Sequence, residues 1–396
     1  MELTEKQKQG LEIAVERFKN KERYTVISGY AGTGKSTLVK FIIDALYQYG
    51  IKEEDIVFTS FTGKACTVLQ KKGNKNVSTL HKLLYRSFPN PDGTYSRIPV
   101  ETIKYKIVVV DEVSMVPMSM MKLLASYDAY VLCLGDPYQL PPIDKNEDNH
   151  LLDNPHIFLD EIQRQAAESE IIQLTMKIRN HEEIPYFKGK EVQIIKKEEL
   201  NTGMLMWADQ ILVGTNSTRN SINNQMRNLL GRGDVPEDED KIICLKNYWE
   251  INSNENTPLI NGTIGYLKDC FSNQIKLPYF VTGNVTRYIP VLYSKIISET
   301  GEEYKELMMD KKLILEGEES LDWKTKFKMS KSFKYQHLVP KEFAYGYAIT
   351  THKAQGSEWD KVLVIEEKFP YNKEEHARWL YTACTRASEK LVLVRP

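Results

Sequence analysis

No run in this 396-residue chain approaches the ~18 consecutive apolar residues that a membrane-spanning helix needs. The opening stretch, MELTEKQKQG, is polar and charged and does not read as a secretory signal. A cytoplasmic location with no membrane partner is therefore expected. The chain also has little charge imbalance: 53 basic against 54 acidic residues leave a net charge of −1. Bulk electrostatics thus give no support to nucleic-acid binding, although a local basic groove can hold a strand on a neutral body. Cys66, Cys133, Cys244, Cys270 and Cys384 are scattered and form no C-x-x-C pair. That argues against a zinc site and reads as free, buried thiols in a reducing compartment. There is no internal repeat and no low-complexity tract.

What is present is an ordinary globular composition, 41% hydrophobic and 27% charged, on a length that suits about two to four domains. β-Branched runs recur at 24–28, 56–60, 107–111, 130–135, 210–215, 361–366 and 391–394. Helical patterns fall at 5–19, 35–49, 63–71, 117–126 and 373–385. Apolar strands alternating with helices predict an α/β protein built on doubly wound parallel sheets. The strand runs group before about residue 160 and after about 205, so two cores are expected. Residues 86–100, with three prolines and a Pro-Asp-Gly turn, read as a small hairpin insertion in the first core. Residues 246–340 read as a β-rich insertion in the second, ending in a charged, partly helical stretch from 298 to 334. The expected division is 1–85 with 101–160, 86–100, 161–245 with 341–396, and 246–340.

The sharpest local signal is Gly29-Tyr30-Ala31-Gly32-Thr33-Gly34-Lys35-Ser36, a full G-x-x-x-x-G-K-S between a predicted strand and a predicted helix. Glycines let the backbone turn its N–H groups toward phosphate oxygens, and the helix N-terminus adds positive potential. Gly29, Gly32, Thr33, Gly34, Lys35, Ser36 and Thr37 are the candidates for holding ATP. Lys35 would reach the β- and γ-phosphates, and Ser36 would bind Mg²⁺. Val108-Val109-Val110-Asp111-Glu112 supplies the complementary half: Asp111 would hold Mg²⁺, and Glu112 would orient or deprotonate the attacking water. A kinase has no need of the second carboxylate, so the pair favours hydrolysis by water. Gln139, in Gly135-Asp136-Pro137-Tyr138-Gln139-Leu140-Pro141-Pro142, sits where it can bond the γ-phosphate or that water. Taken alone, the segment also suits a proline-stiffened loop.

Together, GYAGTGKS, FTGKAC, STLH, VVVDEVSM, GDPYQLPP, ITTHKAQGSEWD and LYTACTRA resemble the ordered motifs of superfamily 1 helicases. The match is to the 5′-to-3′ branch containing RecD, Pif and the phage Dda helicases, and it spans residues 4 to 390. Val113-Ser114-Met115 resembles that branch, where relatives of opposite polarity carry a glutamine and an aspartate. The resemblance implies two RecA-like cores with ATP between them, a pin in the hairpin and an SH3-like fold in the larger insertion. It implies that Gln7 reads adenine, that Arg164 and Arg386 meet the γ-phosphate, and that Gln355 and Glu358 line the same cleft. An arginine so placed is worth ~10³–10⁵ in rate. Little precedes the Gln7 motif and little follows the last strand, so a minimal motor of phage-enzyme size is expected.

The same resemblance implies strand contacts from Phe61, Thr62, Lys64, Thr79 and His81 in the first core. In the second they come from Thr215, Asn216, Thr351, His352 and Lys353. Such hydroxyls, amides and lysines suit phosphate contacts, which fix position without reading sequence. Phe61 would stack a base, although its position equally suits a core phenylalanine. Phe88 or Tyr95 on the hairpin would separate the strands. The expected function is ATP-dependent 5′-to-3′ unwinding of DNA by a monomer acting on single-stranded, forked or partial-duplex DNA, with replication or recombination proteins as further partners. A strand translocase with little unwinding, and a non-catalytic strand-binding module, stay open as alternatives. RNA also stays open as the strand, since no residue is assignable to reading a 2′-hydroxyl.

Overall fold

The computed structural model describes residues 3–89, 95–141, 150–163, 167–254, 257–283, 285–370 and 372–396. The chain divides into two compact units. One comprises Met1–Tyr85, Pro99–Gly214 and Thr350–Pro396; the other comprises Arg86–Ile98 and Thr215–Ile349.

The first unit carries two sheets. In the first sheet, β1 (Tyr24–Gly29), β2 (Ile56–Ser60), β3 (Val77–Thr79), β4 (Ile107–Asp111), β5 (Tyr130–Gly135) and β6 (Ile157–Leu159) are all parallel. Their spatial order is β3-β2-β4-β5-β1-β6. Alternate residues of one strand feed different cores: Ile107 and Val109 join Ile27, Leu38 and Ile42, whereas Val108 and Val110 join Val26, Leu80 and Leu124. A strand buried on both faces has no polar side, which is why the sequence shows continuous aliphatic runs there. The consequence for function is positional. The C-terminal ends of β4, β5 and β1 lie side by side, and loops at such ends are where open α/β sheets bind ligands.

The second sheet of this unit contains β7 (Phe187–Lys188), β8 (Val192–Lys196), β9 (Gln210–Val213), β10 (Trp359–Ile365) and β11 (Ala387–Arg395). They run in the order β9-β10-β11-β8-β7, parallel except for β7. The fold is thus α/β with parallel sheet cores. The strands after residue 160 begin at 187, earlier than expected. β3 and β6 have only three residues and β7 two, too few to show a period, while β8 mixes Gln193 and Lys196 into its apolar run.

In the second unit, a five-stranded antiparallel sheet runs Glu303–Asp310, Tyr288–Ser298, Ile264–Lys276, Lys241–Cys244, Phe343–Tyr345. One sequence expectation changes here. The charged stretch after 298 begins as a strand, with Tyr304, Leu307 and Met309 buried between exposed charges. The apolar run at 277–282 leaves the sheet, because Tyr279–Thr282 forms a helical turn between Pro278 and the left-handed Gly283. Two further strand pairs join Tyr248–Asn252 to Pro258–Leu259 and Tyr85–Pro89 to Tyr95–Pro99. Among the described residues no helix is long and apolar enough to cross a membrane.

Helix Lys373–Cys384 is tied to the second sheet of its own unit through Glu366, which follows β10. His376 Nε2 lies 3.0 Å from Glu366 Oε1, and Arg395 Nε donates to Oε2 at 2.6 Å. The hydrogen bond to Glu366 raises the His376 pKa above its usual 6.5, against the effect of burial. A raised histidine pKa stabilises the fold fully below the unfolded value, and that stability is lost as pH rises through the folded one. The melting temperature is therefore expected to fall between about pH 6 and 8, and His376→Gln should flatten that fall. Equal slopes for both proteins across this window would contradict the assignment.

Candidate active site

β1 ends at Gly29, where the chain must turn beneath its neighbour. A Cβ on Gly29 would lie 2.8 Å from both the Leu159 carbonyl oxygen and Thr33 Oγ1, so only glycine fits. Gly34 adopts a left-handed conformation (φ 79°) and launches helix Lys35–Tyr47. Lys35 lies back along the loop, donating from Nζ to the carbonyl oxygens of Gly29 (2.6 Å) and Tyr30 (2.9 Å). Ser36 and Thr37 follow on the first helical turn.

Gln7 lies against this loop. It is almost wholly buried, and its carboxamide is fully engaged: Oε1 accepts from Thr4 N (3.0 Å) and Nε2 donates to the carbonyls of Thr33 and Gly34 (3.3 Å each). Thr4 accepts in return from Gln7 N, making a capping box. Here Gln7 joins the start of helix Glu5–Lys19 to the phosphate loop. Gln163 N also donates to Gly32 O at 3.1 Å. Arg164, the next residue, lies outside the described residues.

At the end of β4, Asp111 is partly buried and Oδ1 accepts from Glu112 N at 3.0 Å. Burial pushes its carboxyl up to about 6, and the neighbouring Glu112 charge adds to this, while Lys35 opposes it. Glu112 itself is left-handed (φ 52°), a conformation that costs a non-glycine residue about 1–2 kcal/mol. Strain of this kind collects at functional sites. Here Glu112 faces Gln139: with the amide turned to satisfy both neighbours, Gln139 donates to Glu112 Oε2 (3.1 Å) and accepts from Arg386 Nη2 (3.3 Å). Arg386 is buried and aimed by Thr382 O (3.1 Å), Ser357 O (3.2 Å) and Thr385 Oγ1 (3.1 Å).

Two residues that the sequence did not single out complete the frame. Tyr381 OH donates to Asp136 Oδ2 at 2.6 Å and accepts from the phosphate-loop N–H of Ala31 at 2.9 Å. Both are buried; burial raises the pKa of each, and the negative charge of Asp136 adds to the rise of Tyr381. Leu140 N donates to Thr382 Oγ1 (2.9 Å), and Gln355 Nε2 donates to Leu140 O (2.7 Å). The loop after β5 is thereby held by helix Lys373–Cys384 and by the turn at Gln355. Glu358 stands apart, exposed and 3.9 Å from Lys72. Asp136 and Tyr381 lie within the motifs GDPYQLPP and LYTACTRA, which mark the two segments but not the contact between them.

The residues expected at the strand are placed more variously. Thr62, Thr79 and Thr215 are helix N-caps, each hydroxyl oxygen accepting from a backbone N–H three residues on, at 3.2–3.3 Å. The Thr215 hydroxyl in turn donates to Thr218 Oγ1 at 3.1 Å. Phe61 packs on the core yet stays partly exposed, its ring 5.2 Å from that of His81. Lys64 Nζ sits 3.9 Å from the Trp359 ring centroid. Thr351 is buried and donates to Val213 O (3.4 Å). His352 and Lys353 are half-buried, with burial lowering the His352 pKa, and Asn216 is exposed. Phe88 and Tyr95 lie in the paired strands Tyr85–Pro89 and Tyr95–Pro99, and their side chains fall outside the described ones. Cys66, Cys133, Cys244 and Cys384 are buried free thiols, and Cys270 is partly covered.

The family described as "AAA domain" matches residues 2–198, and the "UvrD-like helicase C-terminal domain" matches residues 345–394. The ATP-dependent RecD2 DNA helicase of Deinococcus radiodurans is 27% identical over 93% of this chain and 46% of its own length. The chain is thus similar to superfamily 1 helicases of the RecD and Dda kind. The ATP-dependent DNA helicase dda of phage T4 is 33% identical over 37% of the chain and 34% of its own length. The chain spans less than half the length of either relative. Its fold is that of a Pif1 helicase structure determined for "DNA Unwinding at Forked dsDNA by two coordinating Pif1 helicases". The TM-score is 0.53 at 17% identity, covering 99% of this chain and 92% of that one.

The Tyr381–Asp136 contact generates a test. Tyr381→Phe leaves a buried carboxylate oxygen short of a donor, which costs about 1–3 kcal/mol of stability. In urea unfolding, the double variant with Asp136→Ala is expected to lose clearly less than the sum of the two single losses. Additive losses would show that the pair does not act together.

Proposed function

We propose that this chain is an ATP-dependent DNA helicase that moves 5′-to-3′ along single-stranded DNA and opens duplex ahead of it. The observation that carries the reading is the line Glu112–Gln139–Arg386. It joins a carboxylate at the end of one parallel sheet to a guanidinium borne after a helix of the other, beside a glycine-rich phosphate loop. In this reading ATP lies on the loop from Gly29 to Thr37. Lys35 swings from its own carbonyls to the β- and γ-phosphates, and Glu112 orients the attacking water with Gln139 at its side. Arg386 stabilises the charge that builds on the transferred phosphoryl group. Arg164 is proposed as the second arginine on the resemblance alone.

Ser36 and Asp111 suit Mg²⁺: both offer hard oxygen ligands, and Asp111 is a carboxyl pushed up by burial, which a bound cation would favour in its charged form. Bound there, the ion would supply neutralisation of the β- and γ-phosphate oxygens. Coupling to movement follows from where Arg386, Tyr381 and Gln355 stand. They bind the first sheet's loops from the second sheet's side, so a change at the γ-phosphate alters how the two sheets of this unit are held together.

The strand contacts are proposed for Phe61, Thr62, Lys64, Thr79 and His81, and for Thr215, Asn216, Thr351, His352 and Lys353. Helix starts such as those at Thr62, Thr79 and Thr215 present backbone N–H groups and hydroxyls of the kind that hold phosphates. The hairpin 86–100 is proposed as the strand separator, and the antiparallel sheet of the second unit as the SH3-like insertion of this branch. The direction of travel and the choice of DNA rest on the family branch and on the names of the relatives.

Lys35→Ala is expected to abolish ATP hydrolysis stimulated by single-stranded DNA while leaving strand binding within about twofold, inside the range of a neutral substitution. Retained hydrolysis would sink the assignment of the phosphate loop.

A further inference from the structure

The charged stretch after residue 298 matches none of the helicase motifs, yet among the described residues it carries the most exposed rings. Helix Trp323–Ser330 buries Met329 completely and anchors Lys326 to Glu319 and Glu342. Its other face is turned to solvent. Trp323 and Phe327, four residues apart on that face, are 69% and 47% exposed, and Phe333 just beyond the helix is 85% exposed. Burying rings of this size is normally favourable, so their exposure calls for an occupant.

The charges around the rings indicate which occupant. Lys324, Lys328, Lys331 and Lys334 are interleaved with them, all exposed. Among the described residues none of the four has a carboxylate within ion-pair distance, whereas Lys326 on the inner face has two. Lys331 Nζ lies 4.2 Å from the Phe327 ring centroid, and Lys334 Nζ lies 5.3 Å from that of Tyr335. The surface continues across Tyr335 to Phe280, whose rings are 5.3 Å apart, with Phe280 half exposed. Protein–protein interfaces are depleted in lysine, whereas single-strand sites combine unpaired cations with rings on which bases stack.

We propose that this face of the second unit is a further binding site for single-stranded nucleic acid. Unpaired bases stack on Trp323, Phe327 and Phe333, and the flanking lysines hold the phosphates. Duplex would satisfy the lysines alone, because its bases are already stacked. The site lies outside every helicase motif, so it adds to the proposed function without depending on which residues hydrolyse ATP.

The test compares binding of a long oligothymidylate and of an abasic strand of equal length by the full chain and two variants. Trp323→Ala/Phe327→Ala/Phe333→Ala removes only exposed rings, so it should melt as the unaltered protein does. It is expected to bind oligothymidylate at least about tenfold more weakly, equivalent to one good stacking interaction, and the abasic strand as before. Replacing the four lysines by Gln should weaken both and reduce the slope of log affinity against log salt by about 0.7 for each phosphate that is no longer neutralised. Variants that bind both strands like the unaltered protein would overturn the proposal. If the unaltered chain binds no strand at all, this site and the helicase reading fail together, whereas variants that bind as the unaltered protein does overturn this site alone.

Discussion

A buried polar bridge, Glu112 to Gln139 to Arg386, constrains the rest of the site. Each member is held by structure that would otherwise have no reason to be where it is. Glu112 takes a left-handed turn. Gln139 sits on a loop clamped at Leu140 by Thr382 and Gln355. Arg386 spends three donors on the backbone and hydroxyl oxygens that aim it. Buried polar groups are costly when unpaired, so a network like this is stable only when complete. Tyr381 extends it to the phosphate loop through Ala31 N and to the loop after β5 through Asp136. Two sheets of one unit are therefore joined through hydrogen bonds beside the glycine-rich loop, and under the proposed function the chemistry of the nucleotide and the relation of the sheets would become one equilibrium.

Much of this was legible in the sequence, and the reasons differ by element. The parallel strands were readable because burial on both faces leaves continuous aliphatic runs, as in Ile107–Asp111. The glycine-rich turn was readable because its glycines answer a steric demand, shown by the atoms a Cβ would meet at Gly29. Roles set by partners distant in sequence were not readable. The motifs holding Asp136 and Tyr381 are visible, but nothing local shows that the two side chains meet across 245 residues. Thr62, Thr79 and Thr215 drew notice as polar residues after strands, and the structure gives each hydroxyl a capping bond that the sequence could not distinguish from a ligand contact. The strand Glu303–Asp310 was hidden because its outward residues are charged and its bulge breaks the alternation.

The near-zero net charge also finds its place. What matters to the proposed phosphate site is local: Lys35 near the carboxyls of Asp111, partly buried, and Asp136, buried, whose charges it favours. What matters to a strand is a surface on which cations stand without partners. A chain can be neutral overall and still offer both, because paired charges elsewhere, such as Arg227 with Asp240, contribute nothing at a distance.

The account's central claim is that this site drives directional movement along a strand. It is tested most directly by unwinding two partial duplexes with ATP and Mg²⁺, one with a 5′ single-stranded tail and one with a 3′ tail. Opening of the 5′-tailed duplex alone is the predicted result. Opening of the 3′-tailed duplex alone would contradict the direction, and opening of neither, with hydrolysis still stimulated by single strand, would contradict unwinding and leave a translocase.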